Sequence, residues 1–251
     1  MNINYPLIEE PVLNIISSSI LDTIGIPLVL LTVALWLGIP FYLDKRRGIK
    51  LIQIAKEINL SVSSDGKDAE GVDIIPDELN FGIFTNAGFE ENVIYGKVKS
   101  AKVAIFDYLY KRGGGDATTA KEQTIIYFDC SILRMPAFSL RPESMRDKIT
   151  MALTNKQDFN FANHPNFSKK YLLSGENEGQ IKKFFNSNLL GFFENVNPQF
   201  CIDAMNNHLV IYNDDTRVKP IKIKSFMNEG TAILEAFVSS SANKAARRVK
   251  N

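Results

Sequence analysis

The sequence predicts an α+β protein, with one N-terminal transmembrane helix followed by a largely antiparallel sheet domain and packed helices. Three observations carry that expectation. Ile24–Leu43 runs for 20 residues without a charge. Val93–Val98, Lys102–Tyr110 and Gln123–Cys130 alternate or run apolar, as strands do. Glu178–Glu194 and the chain from Pro220 to Val238 place apolar residues on one helical stripe.

The chain has 251 residues, 45% of them hydrophobic, and a net charge of +1. After the anchor region, enough chain remains for one medium domain. A near-neutral balance argues against nucleic acid as a partner, because such a surface concentrates basic excess on one face. Cys130 and Cys201 are the two cysteines. They form no disulfide framework, and both fall in strand-like segments where a small buried thiol is common.

Ile24–Leu43 is long enough to cross a hydrocarbon core of about 30 Å at about 1.5 Å per residue. A signal peptide fits poorly, since Glu9, Glu10 and Asp22 precede the run, no Lys or Arg does, and no Ala-x-Ala follows. Pro27 suits the first helical turn and Pro40 lies near the far end. Lys45, Arg46, Arg47 and Lys50 flank the run on its C-terminal side. The lipid bilayer is therefore the first expected partner, with the N-terminus outside and the large domain cytoplasmic, at the bacterial inner membrane. Residues 1–23 form an external leader. Within it Pro11–Leu21 has the spacing of an interfacial helix, and an unstructured leader is the open alternative.

Residues 44–63 read as a basic collar and a helix that continues the anchor, with Leu51, Ile54, Ala55 and Ile58 on one face before a short strand at Leu60–Ser63. Ser64–Gly71 is a polar loop; Asp65 and Asp68 resemble a fragment of a calcium loop, but the alternating ligands and closing Glu are missing. Residues 72–240 make the α+β domain. In its second strand Asp107 falls on the aliphatic side, so it must be at an edge or paired. The glycine triplet Gly113–Gly115 reads as a hairpin tip within a Lys111–Lys121 connection. A short strand ends at Arg141, and Pro142 opens a helix with Met145, Ile149, Ala152 and Leu153 inward. Strands follow at Phe159–Phe161 and Lys170–Leu173, then one helix over Glu178–Glu194. Phe200–Met205 and His208–Tyr212 form a hairpin around Asn206-Asn207, and a helix runs from Pro220 to Val238. Residues 241–251 form a basic tail, able to touch anionic lipid or simply be solvated.

No motif carries chemistry. His164 and His208 are the two histidines, and no His or Cys pair has the spacing of a zinc site. There is no dinucleotide fingerprint, Walker loop or nucleophile elbow, and nothing calls for a cofactor or a metal. Cys201 and His208 flank one hairpin, but the turn aligns Cys201 with Tyr212 and His208 with Met205. The pairs Glu90-Glu91 and Asp214-Asp215 fall at expected turns, where charge is usually solvated. Arg141 and Glu143 read as either catalytic groups or a structural charge pair; with Asp107 they are landmarks, and no residue is assigned a catalytic role.

The order of motifs is itself informative. A single anchor with a basic collar is followed by Ile54–Leu60, Phe84–Gly88, Asn92–Gly96, Phe106–Tyr108, Met135–Glu143, Phe167–Tyr171 and Gly175. Over roughly Leu28 to Phe237 this resembles a widespread group of uncharacterised bacterial single-span membrane proteins with a conserved cytoplasmic domain of unknown function. The resemblance implies a bacterial source and an α+β cytoplasmic domain, and supplies no catalytic residue. The expectation is a binding or scaffold module held at the membrane, with a protein or anionic lipid as partner; loose analogy with pleckstrin-type domains points the same way. Missing motifs weigh against an enzyme, and a membrane-tethered enzyme with a site assembled from dispersed residues is the alternative.

Overall fold

The computed structural model describes residues 26–76, 79, 81–84, 88–112, 118–145 and 158–249, with side chains described through residue 241. The chain divides into two units, Met1–Lys50 and Leu51–Asn251. The leader and the glycine-rich hairpin tip lie outside the described residues, as does the inward face expected at Ile149, Ala152 and Leu153.

In the first unit the apolar run is helical from Ile26 onward. Helix α1 (Ile26–Glu57) continues without interruption through Pro40 and the basic collar into the second unit, as the sequence predicts. Every residue from Ile26 to Leu43 is exposed, and the helix is long and apolar enough to cross a membrane. An apolar helix surface with no covering protein is unfavourable in water and favourable in lipid. Its last turns differ, because Leu51 and Ala55 are buried in the core of the second unit.

The second unit is built on an eight-stranded sheet: β1 (Ser61–Ser63), β2 (Phe89–Val98), β3 (Ala101–Arg112), β4 (Thr119–Asp129), β5 (Met135–Pro142), β6 (Tyr171–Gly175), β7 (Cys201–Asn206) and β8 (His208–Tyr212). The strand order is β1-β2-β3-β4-β8-β7-β5-β6, and every pairing is antiparallel. Among the described residues four helices follow α1: α2 (Pro165–Lys170), α3 (Glu178–Phe184), α4 (Ser187–Asn195) and α5 (Ile223–Val249). The fold is α+β.

Both faces of the sheet are covered, which is why its central strands read as nearly continuous apolar runs. On one face Val103, Ile105, Ile126, Phe128, Leu209 and Ile211 meet the helices. Phe138, Phe185, Phe193 and Phe237 interlock there, with Phe138 and Phe185 5.0 Å apart edge-to-face. On the other face Ala104, Phe106, Tyr108, Tyr127 and Val210 meet Ile74, Ile75, Leu79, Phe81 and Phe84. The stripe expected on the last helix is inward, with Ile223, Phe226, Ile233, Leu234 and Phe237 all buried.

Several boundaries differ from expectation. The single helix over Glu178–Glu194 is two helices, because the Asn186 side chain accepts from Asn188 N and Leu189 N and starts α4 afresh. Pro142 ends β5, paired with Tyr171, and a 3-10 turn follows at Glu143–Met145. Phe159–Phe161 is not a strand; Phe159 N donates to Leu173 O at 2.8 Å and Leu173 N donates to Asp158 Oδ1 at 3.1 Å, so the segment meets the sheet edge without extending it. Helix α2 lies between the two segments expected as strands, with Pro165 opening it and Phe167 buried. Helix α5 extends to Val249, so much of the expected tail is helical. The Asn206-Asn207 turn holds, with Asn206 at φ 57°.

Candidate functional site

The antiparallel register brings the ends of β3, β5 and β8 together with the starts of β2, β4 and β7. Three charge clusters gather at this one end of the sheet.

The first surrounds Asp107, which is 1% exposed. It follows the parity of Val103 and Ile105 and so faces the helix-bearing layer. Its carboxylate accepts from Thr124 Oγ1 at 2.8 Å, Asn92 Nδ2 at 3.0 Å and Arg217 Nε at 3.2 Å. Asn92 reaches it from an irregularity in β2, where it takes φ 54°. Arg217 Nη1 also donates to Glu122 at 2.9 Å. Of the two sequence alternatives for Asp107, edge or paired, pairing is the one realised.

The second cluster lies on the opposite face. Tyr110 donates to Asp215 at 2.7 Å, Lys121 pairs with Asp215 at 3.1 Å, and Arg112 bridges Asp214 at 2.7 Å and Asp215 at 3.1 Å. Burial alone would raise the Asp215 carboxyl, but the Tyr110 hydroxyl and the Lys121 and Arg112 charges hold it below the usual range. Burial, reinforced by Asp215, drives the Tyr110 phenol far above its ordinary value. The Asp214 side chain is 8% exposed. This corrects the expectation of solvated charge at the Asp214-Asp215 turn. Glu90 and Glu91 likewise lie within β2 and not at a turn.

The third cluster is centred on Arg141. Its Nη2 meets both oxygens of Asp203 at 2.8 Å, and its Nη1 donates to Ile202 O at 3.0 Å and Leu140 O at 3.1 Å. The guanidinium lies 5.4 Å from the Tyr212 ring centroid, and Tyr212 donates to Asp203 at 3.2 Å. Burial opposes the charge on Arg141, and the adjacent Asp203 carboxylate outweighs it, so the guanidinium stays protonated. Its carboxylate partner comes from a neighbouring strand; Glu143 sits half-buried in the following 3-10 turn.

These groups are engaged with one another. The Cys201 thiol is 1% exposed, and burial pushes it up to about 12, so it is protonated at neutral pH and no nucleophile. It faces Met145 Sδ at 3.3 Å. Cys201 pairs with Tyr212 and Met205 with His208, as the turn predicts. His208 sits at the opposite end of the sheet, 2.8 Å from the Tyr127 hydroxyl, and burial lowers its pKa. His164 lies 3.4 Å from Glu194. Asp65 Oδ1 accepts from Lys67 N, and Asp68 Oδ1 from Glu70 N and Val72 N, turn-forming bonds. Among the described residues no group of three His, Cys, Asp or Glu could hold a metal.

The other residues singled out in the sequence lie on α1. Lys45, Arg46 and Lys50 are exposed and Arg47 is half-buried. Arg46 lies 5.6 Å from the Tyr42 ring centroid. Asp107 and Arg141 belong to separate clusters on opposite faces. The sequence reading missed Arg217 and Asp203, and took Asp215 for solvated charge. Asp203 had a signal, an acid in an apolar strand; Arg217 follows a turn and had none.

No family model matches the chain, and no curated protein does. Among solved structures it is similar to the crystal structure of the mycobacterial trehalose monomycolate transport factor A, TtfA. The TM-score is 0.51 at 11% identity, covering 77% of this chain and 93% of that one. At that identity the likeness is one of fold.

Proposed function

We propose that this chain is a single-span protein of a bacterial inner membrane whose α+β domain is a non-catalytic binding or scaffold module. The observation that carries the reading is α1, exposed and apolar from Ile26 to Leu43 and continuous with a folded domain. The engagement of the buried charges in internal pairs supports structural roles for Asp107 and Arg141 over catalytic ones. Lys45, Arg46, Arg47 and Lys50 favour a cytoplasmic domain and an external N-terminus. The name of TtfA, a trehalose monomycolate transport factor, supports a service role in moving or organising amphiphiles at a membrane. The specific partner is a membrane protein or an anionic lipid.

Crosslinking in intact membranes followed by affinity capture tests the binding reading. Recovery of a defined protein or lipid supports it; a chain captured without any specific partner counts against it. Fusing reporters active only in the cytoplasm or only in the periplasm to the C-terminus tests orientation. Signal from the periplasmic reporter alone would reverse the assignment.

A further inference from the structure

Ile221 is the most exposed large hydrophobic side chain described, at 85%, above even Trp36 of the apolar helix at 77%. Outside α1 the next are Phe89 and Val72, at 55%. A single exposed Ile is ordinary on a loose surface loop. This one is held out. It stands in the 3-10 turn Pro220–Lys222, between the buried anchors Val218 and Ile223. Val218 N donates to Thr124 Oγ1 at 2.9 Å, and Lys222 N donates to Lys219 O at 2.8 Å. Pro220 restricts the backbone immediately before it.

Along the chain, the charge that flanks this knuckle has one sign. Lys219, Lys222 and Lys224 are exposed, and among the described residues none has a carboxylate partner. No acidic residue occurs between Asp215 and Glu229. Arg217, next in line, is already held by Asp107 and Glu122.

We infer that this knuckle docks on an anionic bilayer surface, with Ile221 entering the acyl boundary and the three lysines against headgroup phosphates. A fluid apolar layer accepts one projecting side chain without a matching pocket. A stable protein interface needs about 800 Å² on each side, and one Ile flanked in sequence by lysines offers no such patch. Nucleic acid would engage the lysines and leave Ile221 in water. Each lysine near an anionic leaflet should strengthen association about fivefold, the equivalent of about 1 kcal/mol. The three together then contribute on the order of a hundredfold. The inference rests on the anchored reading proposed above and adds a second point of membrane contact in the domain itself.

The test uses the full chain reconstituted in phosphatidylcholine vesicles with or without phosphatidylglycerol. A fluorophore is placed at Ile221→Cys, and in a control at Lys183→Cys on exposed α3; the native thiols of Cys130 and Cys201 are buried and stay unlabelled. Lipid-borne spin labels should quench position 221 several-fold more than position 183, only with phosphatidylglycerol present. The combined Lys219→Gln, Lys222→Gln and Lys224→Gln variant should lose that difference. Equal quenching at both positions, quenching that ignores lipid charge, or photocrosslinks from 221 to a protein instead of lipid would each overturn the inference. Carbonate extraction of native membranes reads the anchor separately. An extractable chain overturns the anchored reading, whereas a resistant chain with an unquenched position 221 overturns only this docking surface.

Discussion

Asp203 is 2% exposed and carries the counter-charge for Arg141, so its removal strands a guanidinium inside the sheet. Asp203→Ala should lower stability by about 3–5 kcal/mol in chemical denaturation. Replacing both partners, Arg141→Met with Asp203→Leu, should cost less than the single change, because no uncompensated charge remains. A double variant less stable than Asp203→Ala would show that Arg141 is not held chiefly by that carboxylate. Asp215 supplies the acid dependence. Its carboxyl is depressed in the fold, so as pH falls the unfolded chain takes up the proton first. The stability it contributes is complete above the ordinary aspartate value of about 3.9 and is lost as pH drops through the lower folded value. Asp215→Asn should flatten the acid limb of a stability-against-pH curve, and an unchanged limb would count against the Tyr110–Lys121–Arg112 cage.

Helix boundaries depend on single caps. Asn186 accepts from two backbone N–H groups of α4 and donates through Nδ2 to Ser240 at 2.8 Å, tying the α3–α4 corner to α5. Asn186→Ala should cost about 1 kcal/mol from the cap, with a further loss from the severed tie, read as a lowered denaturation midpoint. The final turns of α1 belong to the domain core through Leu51, which is 4% exposed, and Ala55, which is fully buried. Leu51→Ala should therefore destabilise the domain by about 2–5 kcal/mol, although it lies one residue past the basic collar. A change within about 0.5 kcal/mol, the usual effect of surface substitutions, would mean that α1 is only a tether.

For the whole molecule, the packing of Leu51 and Ala55 sets where the chain can be cut. A Lys45–Asn251 fragment keeps both and should be soluble with one cooperative melt; a fragment beginning at Leu60 lacks both and should melt lower or less cooperatively. Identical melts would remove the end of α1 from the core. Much of this architecture is legible along the chain. Ile24–Leu43 announces its helix by length without charge, and the alternation of Val103 to Tyr110 announces a strand with two buried faces. The Ile223–Phe237 stripe announces which side of α5 turns inward. Such signals are local, because burial imposes a period of two or 3.6 residues on consecutive side chains. Charge pairing has no period. Asp107 meets Arg217 across 110 positions, Tyr110 meets Asp215 across 105, and Arg141 meets Asp203 across 62. Each depends on the strand order β4-β8-β7-β5 and on registers that no single strand encodes. The direction in which Ile221 points is likewise set by Val218 and Ile223, which are buried by the rest of the domain. By itself the sequence determined an apolar helix, a two-faced sheet and an inward stripe. Only the tertiary structure decided that the suspected acid and arginine are internal struts, because their partners become neighbours only once the sheet has closed.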